Sequence, residues 1–189
     1  MSYDSRISSS LGADLRALRK SRGMTLGQVA SRLGKSVGWM SQVERDISSP
    51  SYDELKALAA LYEVPLSMLF GQAEAPAEEL GRIVRADARR RVGEADASLV
   101  EELLSPDLTD SFEVIHSTFR PGARSPGVIS RPTQEVGYLI SGRLKIWLDD
   151  TEFLITPGDS FRVREQALRW ENPFTEPAVA IWVISPPVY

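Results

Sequence analysis

Few residues of this chain can do chemistry, and their scarcity is informative. The 189 residues include no cysteine and one histidine, His116. Disulfides, thiolate metal sites and cysteine nucleophiles are therefore excluded, and so is any zinc or iron site built on two or three imidazoles. A Ser-His-Asp triad has only His116 to draw on. With no partner at motif spacing, His116 reads as an ordinary strand histidine. What the chain does concentrate is positive charge. Residues 14–45 carry seven basic residues (Arg16, Arg19, Lys20, Arg22, Arg32, Lys35, Arg45) against two acids (Asp14, Glu44), although the whole chain has a net charge of −4. Residues 1–71 sum to +2 and residues 72–189 to −6. A confined basic face on an acidic chain suits a polyanion, and a solvated helix surface is the plain alternative.

The elements that would present this charge are helices. Leu11, Leu15 and Leu18 repeat at helical spacing with arginines on the other side, and Arg22-Gly23 closes the helix. Thr25 and Gln28 form a capping box ahead of Leu26, Val29, Ala30 and Leu33, and Gly34 ends this second helix. Ser36 caps a third, with Val37, Met40 and Val43 spaced to face inward. Beyond Pro50, Ser51 and Glu54 form a second capping box, followed by Leu55, Leu58, Ala59 and Tyr62 on one face. Pro65 and Gly71 bracket an expected short fifth helix. Residues 72–79 (QAEAPAEE) read as a linker. From Gly81 the pattern changes to short runs rich in Val, Ile, Phe and Trp at 112–119, 136–140, 144–148, 152–155, 160–163 and 179–184. Turn pairs such as Pro121-Gly122, Ser141-Gly142 and Pro157-Gly158 separate them. Such spacing indicates an antiparallel sandwich or small barrel.

Residues 25–44 have the layout of a helix-turn-helix: a helix, a glycine turn, and a second helix free to enter a major groove. On Leu18-Arg19, Gly23-Met24-Thr25, Gln28-Val29-Ala30, Ser41-Gln42-Val43-Glu44-Arg45 and Pro50-Ser51, the segment resembles the Cro/C1-type (XRE) helix-turn-helix over about sixty-five residues. The family usually has glycine where Asp46 stands, a turn position that Asp also tolerates. The resemblance implies base reading by Val37, Gly38 and Gln42, with Ser36 alongside. Gln42 can pair bidentately with adenine, and Val37 can touch a thymine methyl. Arg19, Thr25, Lys35, Ser41 and Arg45 are the implied phosphate contacts. Glu44, an acid beside DNA, is expected to pair within the domain. One headpiece makes few base contacts, which implies a homodimer on a pseudo-palindromic operator with half-sites roughly 34 Å apart.

The β region resembles the cupin barrel. Pro121-Gly122 and Glu135-Val136-Gly137-Tyr138-Leu139-Ile140-Ser141-Gly142 match its first motif. Pro157-Gly158-Asp159-Ser160-Phe161 and Arg169-Trp170-Glu171-Asn172-Pro173 match its second. Metal-binding cupins carry His-x-His and Glu in the first motif and a third His in the second. Here those positions read Ile129, Arg131, Glu135 and Leu168, so no metal and no cofactor are expected. A guanidinium inside the barrel mouth can instead take a carboxylate bidentately. The implied effector is small and amino-acid-like, held by Arg131 and Glu135 with aromatic area from Tyr138, Trp147, Trp170 and Trp182.

The expected organisation is thus an all-α five-helix DNA-binding domain (1–71), a linker (72–80) and an all-β cupin sensor and dimerisation domain (81–189). The expected function is a cytoplasmic, ligand-responsive transcriptional regulator of double-stranded DNA. It is not expected to be an enzyme or to contact a membrane, since no apolar run approaches the ~18 residues of a span. The alternatives are a metal-free cupin enzyme using Glu135 or His116 as acid or base, and a DNA-binding scaffold. In the scaffold the barrel is filled by an Arg131–Glu135 ion pair and only dimerises, or it recruits a protein.

Overall fold

A computed structural model describes residues 11–64, 66–69, 76, 78–79, 81–92, 98–106 and 108–188. The chain divides into two compact units. The first holds the residues up to Arg90 and Ser105–Asp110; the second holds Arg91–Leu104 and Ser111–Val188.

In the first unit the helices are α1 (Leu11–Ser21), α2 (Leu26–Arg32), α3 (Val37–Val43) and α4 (Tyr52–Tyr62). The fifth helix expected after Pro65 amounts to a single turn, Leu66–Leu69, so the unit has four full helices among the described residues. Pro65, Gly71 and most of 72–80 lie outside those residues. Both capping boxes form: Thr25 accepts from the Gln28 amide while the Gln28 side chain accepts from the Thr25 amide, and Ser51 and Glu54 do the same. Each satisfies two otherwise orphaned N–H groups. Ser36 Oγ accepts from Trp39 N at 3.0 Å and starts α3. Leu15, Leu18, Val29, Ala30, Met40, Val43, Leu58 and Tyr62 form the core. Asp46 sits at φ +54°, a left-handed backbone that a short polar side chain tolerates. Its carboxylate accepts from Gly12 N at 2.9 Å and so caps α1. A side chain at residue 12 would collide with Val43 O, so glycine lets the start of α1 approach the end of α3.

The second unit is a pair of antiparallel sheets, consistent with a cupin jelly roll. The strands are β1 (Arg90–Val92, whose first residue is counted with the first unit), β2 (Leu99–Leu103), β3 (Glu113–Phe119), β4 (Gln134–Ser141), β5 (Leu144–Leu148), β6 (Thr151–Ile155), β7 (Ser160–Arg164), β8 (Leu168–Glu171) and β9 (Ala178–Ser185). One sheet has the order β1-β2-β3-β9-β4-β7 and the other β6-β5-β8. Because side chains alternate faces along a strand, burial alternates too. Glu113, Ile115, Ser117 and Phe119 of β3 are buried, as are Ala178, Ala180, Trp182 and Ile184 of β9. Register then stacks these inward residues into rows: Glu113, Ile184, Glu135 and Val163 in one, and Ile115, Trp182, Gly137 and Phe161 in the next. At Gly137 a Cβ would strike the Phe161 ring, which meets Trp182 edge-on at 5.1 Å.

Candidate functional site

The helical unit presents its candidate nucleic-acid face on α3 and the turn before it. Lys35, Ser36, Val37, Gly38, Gln42 and Arg45 are exposed and Ser41 is half-buried, whereas Met40 and Val43 anchor the opposite side in the core. This follows from the 3.6-residue period, which sets 40 and 43 inward and leaves 38, 41, 42 and 45 outward. Val37, which its spacing with Met40 and Val43 assigned to the inner face, is instead 52% exposed at the first turn of α3, a large apolar side chain on a polar surface.

Two acids dilute the positive charge of residues 14–45 in the sequence, and the fold buries both. Asp14 pairs with Arg90 at 2.7 Å and accepts from Leu108 N at 3.2 Å, all within the first unit. Glu44 takes Arg19 bidentately, Nε to Oε1 at 2.6 Å and Nη2 to Oε2 at 2.9 Å. Arg19 Nη1 also donates to Met24 O at 2.8 Å. Glu44 thus has the internal partner that its sequence position suggested. Arg19 differs from expectation: its guanidinium, 12% exposed, is spent on Glu44 and Met24 rather than held out for a phosphate. The hydrogen bond to Glu44 pushes its pKa further up, so it is a permanent cation in that pair.

The remaining phosphate candidates are partly engaged. Lys35 pairs with Glu54, and its ammonium lies 5.2 Å from the Trp39 ring centre. That bond and the Ser51 N–H hold the Glu54 carboxyl down at about 2. A phosphate at Lys35 must therefore compete with Glu54. Arg45 Nε donates to Ser41 O at 3.0 Å, which folds the side chain along α3. Thr25 is exposed with its hydroxyl committed to the capping box.

The β unit encloses a cavity of about 70 Å³ lined by Leu99, Glu101, Phe119, Ile129, Arg131, Glu135, Leu168, Trp170, Trp182 and Ile184. All four positions that hold the metal in the resembling barrels, Ile129, Arg131, Glu135 and Leu168, converge here. Two offer only hydrocarbon and one a cation, so this donor set does not fit a divalent metal. Among the described residues no group of three or more His, Asp or Glu is placed to hold one. The aromatic lining differs in part from expectation. Trp170 and Trp182 reach the cavity, with Phe119 edge-on to Trp170 at 4.8 Å. Tyr138 lies on the outer face of β4, because alternation from Glu135 turns it outward, and is 47% exposed. Trp147 is half-buried on β5 with Arg169 over its ring at 5.2 Å. His116 faces outward from β3, 3.6 Å from Glu102.

Arg131 is exposed at the mouth and makes no ion pair or hydrogen bond among the described residues. The Arg131–Glu135 bridge weighed as a barrel filler is thus not formed; Glu135 is buried and accepts from Thr133 Oγ1 at 2.6 Å. Two further acids went unread in the sequence. Glu101 accepts from Ser117 Oγ at 3.1 Å, and burial pushes its pKa up. Glu113 accepts from Val188 N at 3.1 Å. Burial first, then its neighbours Glu101 and Glu135, push it up to about 7 against the opposing pull of that N–H and of Arg131. The inward alternation of Glu113, Ile115, Ser117 and Phe119 is the signal that could have found Glu113.

Comparison with known proteins fits both units. Residues 10–69 match the family described as a helix-turn-helix domain, and residues 115–184 match the cupin domain. Over 79 residues the chain is 34% identical to the transcriptional regulator ClgR of Mycobacterium tuberculosis, covering 40% of this chain and 70% of that protein. This chain belongs to the XRE-type helix-turn-helix transcriptional regulators. Similarity also extends across both units. The HTH-type transcriptional regulator PuuR of Escherichia coli is 22% identical over 152 residues, 80% of this regulator and 81% of that one. A solved HTH_3 family transcriptional regulator from Vibrio cholerae is 23% identical with a TM-score of 0.44, covering 96% of this chain and 97% of its own. The regulator is a DNA-binding protein with a cupin domain. Among its described residues no helix is long and apolar enough to cross a membrane.

Proposed function

We propose that the cupin unit is the sensor of a cytoplasmic, homodimeric regulator, and that its cavity takes a small amino-acid-like molecule without a metal and without catalysis. Lys35, Ser36, Val37, Gly38, Ser41, Gln42, Arg45 and Thr25 form the DNA face; Gln42 is the main base reader, and the operator is pseudo-palindromic. The observation that carries the sensor reading is the unpaired Arg131 at the mouth of a cavity whose wall holds two acids, the half-buried Glu101 and the buried Glu135. A ligand carboxylate docks on the guanidinium, and its ammonium group lies inward against the carboxylates, between Trp170 and Trp182. The fixed charges of the site are then matched at both ends. A catalytic reading lacks support: no metal fits, and His116 points away from the cavity. The linker at 72–80 would carry ligand occupancy to the helical unit as a coupling free energy.

Calorimetry with a panel of amino acids and their keto-acid and amine counterparts tests the site. Arg131→Ala is expected to abolish binding of carboxylate-bearing compounds, and Glu135→Gln to weaken amino acids more than keto acids. Equal binding by wild type and Arg131→Ala refutes the assignment.

A further inference from the structure

A second concentration of positive charge lies beyond the helices. Residues 82–91 (RIVRADARRR) hold five arginines and one acid, Asp87, whereas the rest of residues 72–189 sums to −10. The DNA face built on α3 does not include this run. Its arginines divide by burial. Arg90 is buried: Nη2 pairs with Asp14 at 2.7 Å, and the other oxygen of that carboxylate accepts from Leu108 N. Arg89 is half-buried, whereas Arg82 and Arg85 are exposed. Glu79 folds onto the same run. Its carbonyl accepts from Arg82 N and Ile83 N, both at 2.9 Å, and its carboxylate accepts from Arg85 Nε at 3.0 Å. In that pair the acid side chain is 14% exposed and the arginine 63%, so the cation is the member that faces water. The Arg82 guanidinium makes no hydrogen bond or ion pair among the described residues.

We propose that Arg82 and Arg85 are a second DNA contact of the helical unit, on backbone phosphates beside the groove that α3 enters. Arg90 fixes where the run emerges. Its partner Asp14 stands in the first turn of α1, and Gly12 at that end of α1 meets Val43 O and Asp46, where α3 finishes. Arg85 is five residues from Arg90, at most about 17 Å along the chain, and the short helix Ala86–Ala88 draws it closer. Arg82 and Arg85 are at most about 10 Å apart, so both guanidiniums fit along one phosphate strand. Glu79 yields Arg85 readily, because an exposed ion pair is worth little in water. With the remainder of residues 72–189 strongly acidic, this run is the part of that stretch that attracts a polyanion. Contacts of this kind add affinity and hold register without reading sequence.

The test is fluorescence anisotropy of the full chain with a mixed-sequence DNA duplex of about thirty base pairs, from about 50 to 200 mM salt. Arg82→Gln/Arg85→Gln is expected to lower the slope of log affinity against log salt by about 1.8 for each protomer bound, at about 0.9 per contact. Across that range of salt the variant then loses about twelvefold less affinity than wild type. Arg82→Lys/Arg85→Lys should keep the wild-type slope, because a phosphate accepts either cation. Arg120→Gln/Arg124→Gln removes as much charge from exposed positions of the β unit and should leave the slope unchanged. Circular dichroism checks that each variant is folded. An unchanged slope in Arg82→Gln/Arg85→Gln overturns the contact and leaves the run as solvated surface. An equal fall in Arg120→Gln/Arg124→Gln overturns it as well, since net charge rather than position would then set the slope. Either result leaves the α3 face as the site of DNA binding.

Discussion

The Arg19–Glu44 pair makes a demanding prediction, because the sequence pattern assigns Arg19 to DNA and the fold assigns it to a partly buried ion pair with Glu44. Glu44→Ala would leave the Arg19 guanidinium, 12% exposed, with Met24 O as its one remaining acceptor among those described. Removing one partner of a buried pair costs about 3–5 kcal/mol, whereas an exposed pair is worth about 0–1 kcal/mol. The larger figure is a shift of roughly two to three and a half decades in the folding equilibrium of the helical unit. Urea titration read by far-ultraviolet circular dichroism follows the helices. Tryptophan fluorescence reports mainly on the β unit, which holds three of the four tryptophans, and serves as the internal control. Glu44→Ala should unfold the helices early and leave the fluorescence transition in place. Replacing both partners by methionine should recover much of the loss, since no charge is left unpaired. That folded double variant isolates the DNA question. If Arg19 makes no phosphate contact, the slope of log affinity against log salt is unchanged; each lost contact would reduce it by about 0.9. A cost below 1 kcal/mol for Glu44→Ala, or a slope reduced by one contact in the double variant, refutes the assignment of Arg19 to the pair with Glu44 in place of a phosphate.

Two further outcomes follow from the two units. Gln42→Ala should cost about 1–3 kcal/mol on the preferred site and almost nothing on unrelated DNA, measured by competition binding; a uniform loss on all DNA would mean that Gln42 only positions the headpiece. Glu113 should make stability fall with rising pH. Its folded pKa of about 7 lies above the ordinary 4.5, so the folded state holds the extra proton. Stability is then full below about 4.5, declines through the interval and levels off above 7. Glu113→Gln should flatten that segment in thermal melts across pH, and an unchanged profile would show that another group carries it.

The helical unit was legible almost to the residue, because its signals are local. Two capping boxes, two glycine turns and an apolar stripe fix α1 to α4, and each device acts within four residues of itself. The single turn Leu66–Leu69 was over-read as a helix because Pro65 and Gly71 mark ends without stating what lies between. Strands β3 to β7 and β9 were visible as apolar runs. Strands β1, β2 and β8 were not: Arg90–Val92, Leu99–Leu103 and Leu168–Glu171 each carry charged residues in short segments, and pairing rather than composition makes them strands. Asp46 showed only half its role, since tolerance of a left-handed backbone is a local property and capping α1 is not.

The cavity shows that motif positions can meet without the chemistry of a metal site. Ile129, Arg131, Glu135 and Leu168 meet although three of them are not metal ligands: alternation on β4 turns Glu135 inward, and the chain before β4 is held to the start of β8 by the bridge between Ile129 and Leu168. An isoleucine serves that packing as well as a histidine. The sequence could therefore place Arg131 and Glu135 from the motif alone. Glu101 and Glu113 belong to no motif; the pairing of β2 with β3 brings Glu101 to the cavity wall, and the pairing of β3 with β9 sets Glu113 in the row of Glu135. That pairing turns an arginine with one carboxylate into an arginine facing several. If the cavity is the sensor site proposed above, its surplus of acid would favour a ligand that brings its own positive charge over a simple carboxylate, since an anion with no cation of its own would meet Glu101 and Glu135 without compensation.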